Sequence, residues 1–268
     1  MTTESTAIST SWLVPDWPAP ANVRALSTTR QGGVSRGAYG LADGSTGGLN
    51  LGTHVGDDPS AVAANRARLA RSLPAMPLWL EQVHGCGVAT AEHGDAGSEI
   101  QQADASISGR PGDVCAIMTA DCLPVLLCDT AGTVVGAAHA GWRGLCDGVI
   151  EATLSRMAQR AGGMPQWLAW LGPAIGPDAF EVGAEVRAAF LDRAFQHEQA
   201  EVDAAFVAVG QGKYMADLYA LARIRLARAG CTQVFGGDTC TVTDADRFYS
   251  YRRDRTTGRM ATMVWLEA

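Results

Sequence analysis

Several common features are missing from this sequence of 268 residues, and each absence excludes a class of protein. It contains no CxxC or HxxxH pair, so the local motifs of a structural zinc site are lacking. No apolar run approaches the ~18 residues that a membrane-spanning helix needs, so we expect no membrane association. Residues 1–20 have no basic region followed by an apolar core, and we therefore expect a frayed N-terminal tail rather than a signal peptide.

Positive charge is also in short supply. The 21 Lys and Arg residues are outnumbered by 28 Asp and Glu residues, which gives a net charge of −7. This balance excludes a general basic surface for nucleic acid, so an anionic substrate needs a local arginine cluster. The seven cysteines are odd in number and irregularly spaced, which argues against a disulfide framework and favours the reducing cytoplasm. No segment indicates an obligatory protein partner.

The hydrophobic pattern predicts one α/β domain over residues 21–268, with mixed β-sheets and flanking helices. No internal repeat or low-complexity linker divides this range. The Gly-rich residues 33–53 predict a long loop near a site, and Asp58-Pro59 predicts the start of a helix. Continuous apolar runs predict buried strands and amphipathic runs predict helices. The strands are expected at 114–118, 123–128, 134–138, 168–171, 242–244 and 260–265, and the helices at 148–160, 184–194 and 215–229.

Three Gly- and Ala-rich segments carry the residues with the clearest chemical potential. They contain His84 (in Gln82-Val-His-Gly85), Cys122 (in Thr119-Ala-Asp-Cys122) and His139 (in His139-Ala-Gly-Trp-Arg-Gly144). Two imidazoles and a thiolate are good zinc ligands, and three protein ligands leave a fourth position open for chemistry. Cys122 and His139 flank a predicted strand–turn–strand, which would bring them within a few ångströms. The same two residues also suit a nucleophile and its base.

Other polar residues are candidates for substrate binding or proton transfer. An arginine beside glycines or aromatics presents a planar fork to phosphate, and Arg30, Arg143 and Arg252 have such neighbours. An ordinary salt bridge is the alternative for each of them. Glu181 is a candidate general acid or base, and Asn50 lies in a loop that we expect to line a pocket.

The remaining histidines and most of the remaining cysteines have simpler interpretations. His54 belongs to the same loop as Asn50, whereas His93 and His197 are predicted to be surface residues. A buried, inert thiol is the default for a cysteine in apolar surroundings. That default applies to Cys86, Cys115, Cys128 and Cys231.

Seven ordered motifs, spread from about Arg30 to Trp265, closely resemble the YfiH family. This family is also called the polyphenol oxidase or laccase-domain family and, more recently, the purine nucleoside phosphorylase family. The chain differs by a longer Gly-rich connector between Tyr39 and Leu49, which affects the expected substrate entrance. The motifs are Asn50-Leu-Gly-x-His-Val-Gly-Asp-Asp-Pro59, Gln82-Val-His-Gly85, Thr119-Ala-Asp-Cys-Leu-Pro124, His139-Ala-Gly-Trp-Arg-Gly144, Gly172-Pro-x-Ile-Gly-Pro177, Phe180-Glu-Val-Gly183 and Phe248-Tyr-Ser-Tyr-Arg-Arg-Asp254.

The resemblance implies a single α/β domain, related in fold to toxins that deamidate through a Cys-His pair. It implies a zinc ion held by His84, Cys122 and His139. It also implies purine nucleosides and phosphate as substrates, with phosphorolysis of adenosine, inosine, guanosine and methylthioadenosine and with deamination of adenosine. The HxE and PCxxC signature of zinc deaminases is absent, so deamination would use a different arrangement, with Glu181 or Asp121 as the proton carrier.

Four alternatives stay open at this point. Copper is the less favoured metal, because a trinuclear copper cluster with a separate blue-copper site needs more histidines than the five present. A metal-free cysteine hydrolase would use Cys122 and His139 but would not need His84. A third alternative is an enzyme that edits UDP-linked muropeptides, with its diphosphate near the arginines. The last is a metal-binding or partner-binding protein without catalysis.

Overall fold

Two β-sheets packed face to face organise the chain, for which a computed structural model describes residues 11–91, 100–163 and 165–268. The strands within these residues are β1 (Val23–Ser27), β2 (Gln31–Ser35), β3 (Val88–Thr90), β4 (Ala105–Ser108), β5 (Val114–Thr119), β6 (Leu123–Asp129), β7 (Val135–Ala140), β8 (Trp167–Leu171), β9 (Glu181–Gly183), β10 (Phe206–Gly210), β11 (Lys213–Ala216), β12 (Gln233–Gly236) and β13 (Met260–Leu266). The helices are α1 (Pro59–Ala70), α2 (Trp142–Asp147), α3 (Val149–Ala161), α4 (Ala184–Arg193), α5 (Gln199–Ala204), α6 (Leu218–Arg228) and α7 (Tyr251–Asp254).

The larger sheet has six strands in the order β12-β8-β6-β7-β4-β3. It is mixed, since β12 and β8 are parallel, as are β3 and β4, while β6, β7 and β8 pair antiparallel. The second sheet, β1-β13-β5, is antiparallel throughout. A small antiparallel sheet, β10-β11-β9, lies outside these two. This arrangement confirms the α/β class with mixed sheets and flanking helices.

Apolar side chains fill the space on both faces of the six-stranded sheet. On one face, residues such as Leu126 and Val135 meet Ile117 and Val264 of the second sheet. On the other face, Leu127 and its neighbours pack against α3 and α6. Strands β5, β6, β7, β8 and β13 are buried along their whole length, as expected for strands covered on both sides. The polar groups at the ends of β5, β6 and β7 therefore stand out against an apolar core.

Most predicted core elements are confirmed, and three regions differ. Residues 242–244, predicted as a strand, form a turn. The predicted helix 215–229 begins later, at Leu218, because Met215 and Ala216 pair with β10 in the small sheet. The Gly-rich segment 33–53 is mostly loop, but its first residues belong to β2 and a 3-10 turn follows at Gly37–Tyr39. Helix α1 starts as predicted, with the carboxylate of Asp58 accepting a hydrogen bond from the Ser60 N–H at 2.8 Å.

The segment before β1 is packed against the domain in its described part. Leu13 and Ser27 exchange backbone hydrogen bonds of 2.8 Å in both directions, and Trp12 packs against the apolar cluster that contains Leu26. Residues 1–10 lie outside the described residues, so the expected tail stays a prediction there. Among the helices of the described ranges, none is long and apolar enough to cross a membrane.

Candidate active site

His84, Cys122 and His139 come together at one end of the six-stranded sheet. Their ligand atoms all lie within 4.8 Å of one another, and Cys122 Sγ is 3.9 Å from His84 Nε2. They form the one group of three or more potential metal ligands found in the described part of the chain. We call these three residues the ligand cluster. His84 is exposed, Cys122 half-buried and His139 buried, so the cluster opens to the surface on one side.

The strand pairing explains how Cys122 and His139 meet. Cys122 immediately precedes β6, and His139 is next to the last residue of β7. In the antiparallel register, Pro124 lies opposite His139 and Leu123 opposite Ala140. The start of one strand and the end of its neighbour are therefore adjacent, which confirms the predicted juxtaposition.

Asp104, which immediately precedes β4, holds both histidines of the ligand cluster in place. Its carboxylate is fully buried and accepts hydrogen bonds from the backbone N–H groups of Val83, His84 and Gly85 at 3.1, 2.9 and 2.7 Å. It also accepts the Nδ1–H of His139 at 2.8 Å. Because Nδ1 carries that proton, Nε2 of His139 is left to act as the ligand atom. His84 has a φ of 61°, an unusual value that these three backbone hydrogen bonds stabilise.

Gly141 keeps open the space that the ligand cluster surrounds. A Cβ atom at this position would lie 3.0 Å from His84 Cδ2, 3.1 Å from Cys122 Sγ and 3.5 Å from His139 Nε2. All three ligand side chains thus border one small volume that a single methyl group would fill. The donor set of two imidazoles and one thiolate suits zinc, and its convergence on this volume fits a bound metal ion.

The electrostatics of the ligand cluster favour an ionised thiol. Burial opposes ionisation of Cys122, but the charge of His139 and hydrogen bonds from both histidines outweigh it and lower the pKa of the thiol to about 6. For His139, burial acts against protonation, while the thiolate of Cys122 and the carboxylate of Asp104 raise the pKa of the imidazole to about 9. Without a metal, Cys122 and His139 therefore form a thiolate–imidazolium pair.

A cleft of about 470 Å³, counted out to open solvent, adjoins Cys122. The lining residues that offer polar side chains or backbone groups are Ala120, Asp121 and Arg252. The other lining residues are apolar or aromatic, and we call them the aromatic wall: Trp142, Ile175, Phe180, Leu218 and Tyr251. The cleft can therefore accept a flat ring against its aromatic wall, with polar groups next to Cys122.

Asp121 connects the cleft to the C-terminal part of the chain. Its two carboxylate oxygens accept hydrogen bonds from the Thr241 hydroxyl and the Arg252 backbone N–H, both at 2.6 Å. Its φ of 89° is held by these contacts and by the Ile175 N–H, which donates to its carbonyl at 2.9 Å. These contacts orient the residue that precedes Cys122, and they bring α7 to the cleft.

Of the residues predicted to bind substrate or to transfer protons, Arg252 lies at the cleft. Its guanidinium stacks over Phe180 at 5.4 Å and donates to the Glu181 carbonyl at 3.0 Å. The Glu181 side chain itself is 53 % exposed and faces Lys213 at 4.0 Å, so only its backbone contacts a cleft residue. Arg143 is exposed on α2, with its guanidinium stacked over Trp142 at 4.4 Å.

Arg30 and Asn50 are not brought to the cleft. Arg30 is 4 % exposed and donates to the carbonyls of Gly40, Leu41 and Ala245, so its guanidinium braces two loops. The Asn50 side chain is fully buried and accepts the backbone N–H groups of Gly52 and Arg259 at 3.0 and 2.9 Å. Both side chains bind the protein's own backbone, and Asn50 Nδ2 also donates to the Asp57 carboxylate at 3.0 Å.

The remaining predicted residues lie mostly outside the ligand cluster. His54 is exposed on the loop after Asn50, and His197 is exposed at 79 %. His93 lies outside the described residues. The thiols expected to be inert are buried, except that of Cys86, which is half-buried. Burial raises the pKa of both Cys115 and Cys128 to about 12, in contrast to Cys122.

The sequence interpretation missed Asp104 and Arg259. Asp104 is a lone acid at the start of an apolar strand, and its position was the one available signal. Arg259 immediately precedes β13, and its positive charge acts on Cys122 and Asp121. Nothing in the local sequence distinguishes Arg259 from the other arginines, because its neighbours in space come from distant segments.

These features define a single-domain α/β protein with an open His-Cys-His cluster beside a cleft, and comparisons with known proteins agree on one family. The family model described as multi-copper polyphenol oxidoreductase laccase matches residues 24–267. The purine nucleoside phosphorylase YfiH of Escherichia coli is 55% identical over 256 residues, covering 95% of this chain and 98% of the relative. A purine nucleoside phosphorylase of Pseudomonas aeruginosa is 54% identical over 260 residues, covering 96% and 99%.

Solved structures give the same result. YlmD from Geobacillus stearothermophilus superimposes with a TM-score of 0.86 at 30% identity, covering 98% of each chain. A Neisseria meningitidis protein superimposes with a TM-score of 0.84 at 49% identity, covering 96% of this chain and all of that one. The chain belongs to the YfiH family, the laccase-domain family that the sequence motifs indicated.

Proposed function

We propose that this protein is a zinc-dependent purine nucleoside phosphorylase, acting on adenosine, inosine, guanosine and methylthioadenosine, with a second activity as an adenosine deaminase. The observation that carries the proposal is the convergence of His84, Cys122 and His139 beside a cleft with an aromatic wall. The names of the relatives support the reaction class. Zinc held by the ligand cluster would supply Lewis acidity and lower the pKa of water at the edge of the cleft.

The chain's own residues suit the binding of a nucleoside. Trp142, Phe180 and Tyr251 offer aromatic faces for a purine ring, and Arg252 offers a cation at the same cleft. Phosphorolysis forms a bond between a phosphate oxygen and C1′ of the ribose and breaks the bond from C1′ to the purine nitrogen. The electron pair of that bond leaves with the purine, which takes up a proton. Arg143 and Arg252 are our candidates for anion binding, and Glu181 or Asp121 for proton transfer.

The experiment that tests this proposal combines metal analysis with product analysis. Purified protein is incubated with adenosine or inosine, with and without phosphate, and the products are separated by liquid chromatography. We expect about one zinc per chain and phosphate-dependent release of free purine and ribose 1-phosphate. Adenosine without phosphate should give inosine. Cys122→Ala should lose most of the metal and both activities while keeping its thermal unfolding transition, because the large core folds without the site. Absence of any product from zinc-loaded protein would reject the proposal.

One observation favours a second candidate, a metal-free cysteine hydrolase. The lowered pKa of Cys122 and the raised pKa of His139 would prepare a thiolate nucleophile and its acid–base partner. His84 separates the two candidates, since a dyad does not require it. If His84→Ala and prolonged chelation both leave turnover intact, the hydrolase is favoured; if both abolish it, the zinc enzyme is favoured.

A further inference from the structure

Two half-buried arginines, Arg259 near Cys122 and Arg66 on α1, form no ion pair within the described residues. Among the ion pairs of the described residues, none includes either guanidinium. Removing a guanidinium from water without an opposite charge is costly, and burial lowers the pKa of both groups accordingly. An anionic ligand that enters between them would recover part of that cost.

Arg259 reaches this position through the register of the second sheet. Met260 pairs with Thr119, so Arg259 lies opposite Ala120, just before Asp121 and Cys122. Its charge acts on the Cys122 thiolate and the Asp121 carboxylate. One terminal nitrogen, Nη1, donates to the carbonyls of Thr257 and Gly258 at 3.3 and 3.0 Å. Its Nε and Nη2 donate no hydrogen bond to any residue in the described ranges, so one edge of the fork is available.

The loop of residues 50–56, which begins the first sequence motif, holds the Arg259 side chain. The Asn50 side-chain oxygen accepts the Arg259 backbone N–H at 2.9 Å. A Cβ atom at Gly52 would lie only 2.9 Å from Cγ of Arg259, so the absence of a side chain lets the arginine stem lie across this loop. The buried Asn50 therefore acts on the candidate site indirectly, by holding the backbone of Arg259.

Arg66 approaches the same loop from α1. Its Nε donates to the Leu51 carbonyl at 2.9 Å, and its guanidinium stacks over Trp79 at 4.2 Å. His54 is exposed on the loop and lies in the field of both arginines, since burial and then the charges of Arg259 and Arg66 lower its pKa. Arg66, Arg259 and His54 therefore meet at one short loop, where Arg66 bonds to Leu51 and Arg259 lies against Gly52.

We propose that Arg259 and Arg66, with His54 at the rim, form the subsite that binds inorganic phosphate. The planar guanidinium fork matches the geometry of a tetrahedral oxyanion, and the charge next to Cys122 places this anion at the reaction centre. The proposal rests on the proposed phosphorylase activity and names the residues that take its second substrate. It assigns phosphate to Arg259 and Arg66 in place of Arg143 and Arg252, and it leaves Arg252 and the aromatic wall for the nucleoside.

The test compares Arg259→Gln with Arg156→Gln, which removes the same charge from an exposed position on α3. Steady-state kinetics are measured against phosphate at saturating inosine and against inosine at saturating phosphate. We expect Arg259→Gln to raise the KM for phosphate at least tenfold and to change the KM for inosine less than twofold. Arg156→Gln should match wild type in both. An unchanged KM for phosphate in Arg259→Gln would overturn the assignment.

A binding measurement separates this proposal from the proposed function. Calorimetric titration of the purified holoprotein with inorganic phosphate should give a dissociation constant at least tenfold weaker in Arg259→Gln than in wild type or Arg156→Gln. If wild type binds phosphate through Arg259 but cleaves no nucleoside, the phosphorylase activity is rejected and the subsite stands. If wild type cleaves nucleosides and Arg259→Gln binds phosphate normally, the subsite is rejected and the activity stands.

Two further arms cover the remaining outcomes. Titration with uridine diphosphate distinguishes free phosphate from the phosphate groups of a nucleotide; a site that responds to the diphosphate alone would overturn the assignment to inorganic phosphate. If Arg259→Gln fails to show a cooperative thermal transition, His54→Gln replaces it, because its exposed side chain is dispensable for folding. We expect a two- to fivefold rise in the KM for phosphate with His54→Gln, and no change would count against the subsite.

Discussion

Nδ1 of His139 donates a hydrogen bond to Oδ1 of Asp104 across 2.8 Å, deep beneath the ligand cluster. The same carboxylate accepts three backbone N–H groups from residues 83–85. One buried acid therefore fixes the ring of one ligand and the backbone of another. Changing a hydrogen-bond partner of this kind typically costs about 10–100-fold in metal affinity.

We expect Asp104→Asn to weaken metal binding by about 10–100-fold, because the amide cannot accept all four hydrogen bonds and carries no charge toward His139. The measurement is competition for zinc with a coloured chelator. Asp129→Asn is the matched control, since Asp129 is also buried and accepts the backbone N–H groups of Thr133 and Val134 at 2.7 and 3.0 Å, far along β6. Equal zinc affinity in Asp104→Asn and wild type would show that Asp104 serves stability alone.

Gly141→Ala should also release the metal, for a steric reason. The added Cβ would lie about 3.0 Å from His84 and Cys122 atoms, whereas the backbone angles of Gly141 are open to alanine. Gly85→Ala is the control, because its Cβ would have no neighbour nearer than 3.6 Å. Metal content after gel filtration should fall in Gly141→Ala and stay normal in Gly85→Ala. Full zinc occupancy in Gly141→Ala would contradict the fit of a metal between these three side chains.

The pKa of Cys122 predicts how alkylation depends on pH in chelator-treated protein. Iodoacetamide reacts with the thiolate, so the rate should rise through a midpoint near pH 6 and level off above pH 7. His139→Ala removes the charge and hydrogen bond that lower this pKa, and its midpoint should move upward toward the usual thiol value. Peptide mass spectrometry identifies the site. Cys115 and Cys128 are buried, with pKa values raised to about 12, and should stay unmodified throughout this range. A midpoint near pH 9 for Cys122 in wild type would contradict the ion pair.

Arg30→Ala should reduce stability rather than phosphate affinity. The buried guanidinium stacks on Tyr249 at 4.7 Å and holds carbonyls of residues 40, 41 and 245. Losing hydrogen bonds from a charged donor and leaving buried carbonyls unpaired should cost roughly 2–4 kcal/mol of unfolding free energy. Urea denaturation measures the loss, with the exposed Arg36→Ala as control, expected within about 0.5 kcal/mol of wild type. A raised KM for phosphate with unchanged stability would restore the original interpretation of Arg30 as an anion-binding residue.

The local sequence pattern was sufficient to predict the strands of the core but not the elements at the periphery of the fold. Strands β5, β6 and β8 are continuous apolar runs, so their burial could be predicted without knowing their partners. Strand β11 has no such signal and exists because β9 and β10 pair with it. Residues 242–244 were predicted as a strand, but they form a turn, and the Thr241 hydroxyl next to them donates to Asp121.

The same distinction applies to the candidate site. His84, Cys122 and His139 carry side chains whose chemistry is visible in isolation, and motif resemblance grouped them. Asp104 and Arg259 have roles that arise from contacts over long sequence separations, which no local pattern records. Arg30 is a case in which the local sequence was misleading. Its glycine neighbours suggested an anion site, but its guanidinium donates to carbonyls of two distant loops.

Strand β13 lies between β1 and β5 in its sheet, although it is the last of the described strands to be synthesised. On the ribosome, β1 and β5 therefore wait with unpaired edges until Met260–Leu266 has emerged from the exit tunnel. Arg259 and the residues that orient Asp121 arrive only shortly before that strand. The candidate site is therefore completed only when the last of the described strands has been synthesised. A nascent chain that stalls before this point exposes two apolar strand edges to chaperones while its candidate site is incomplete.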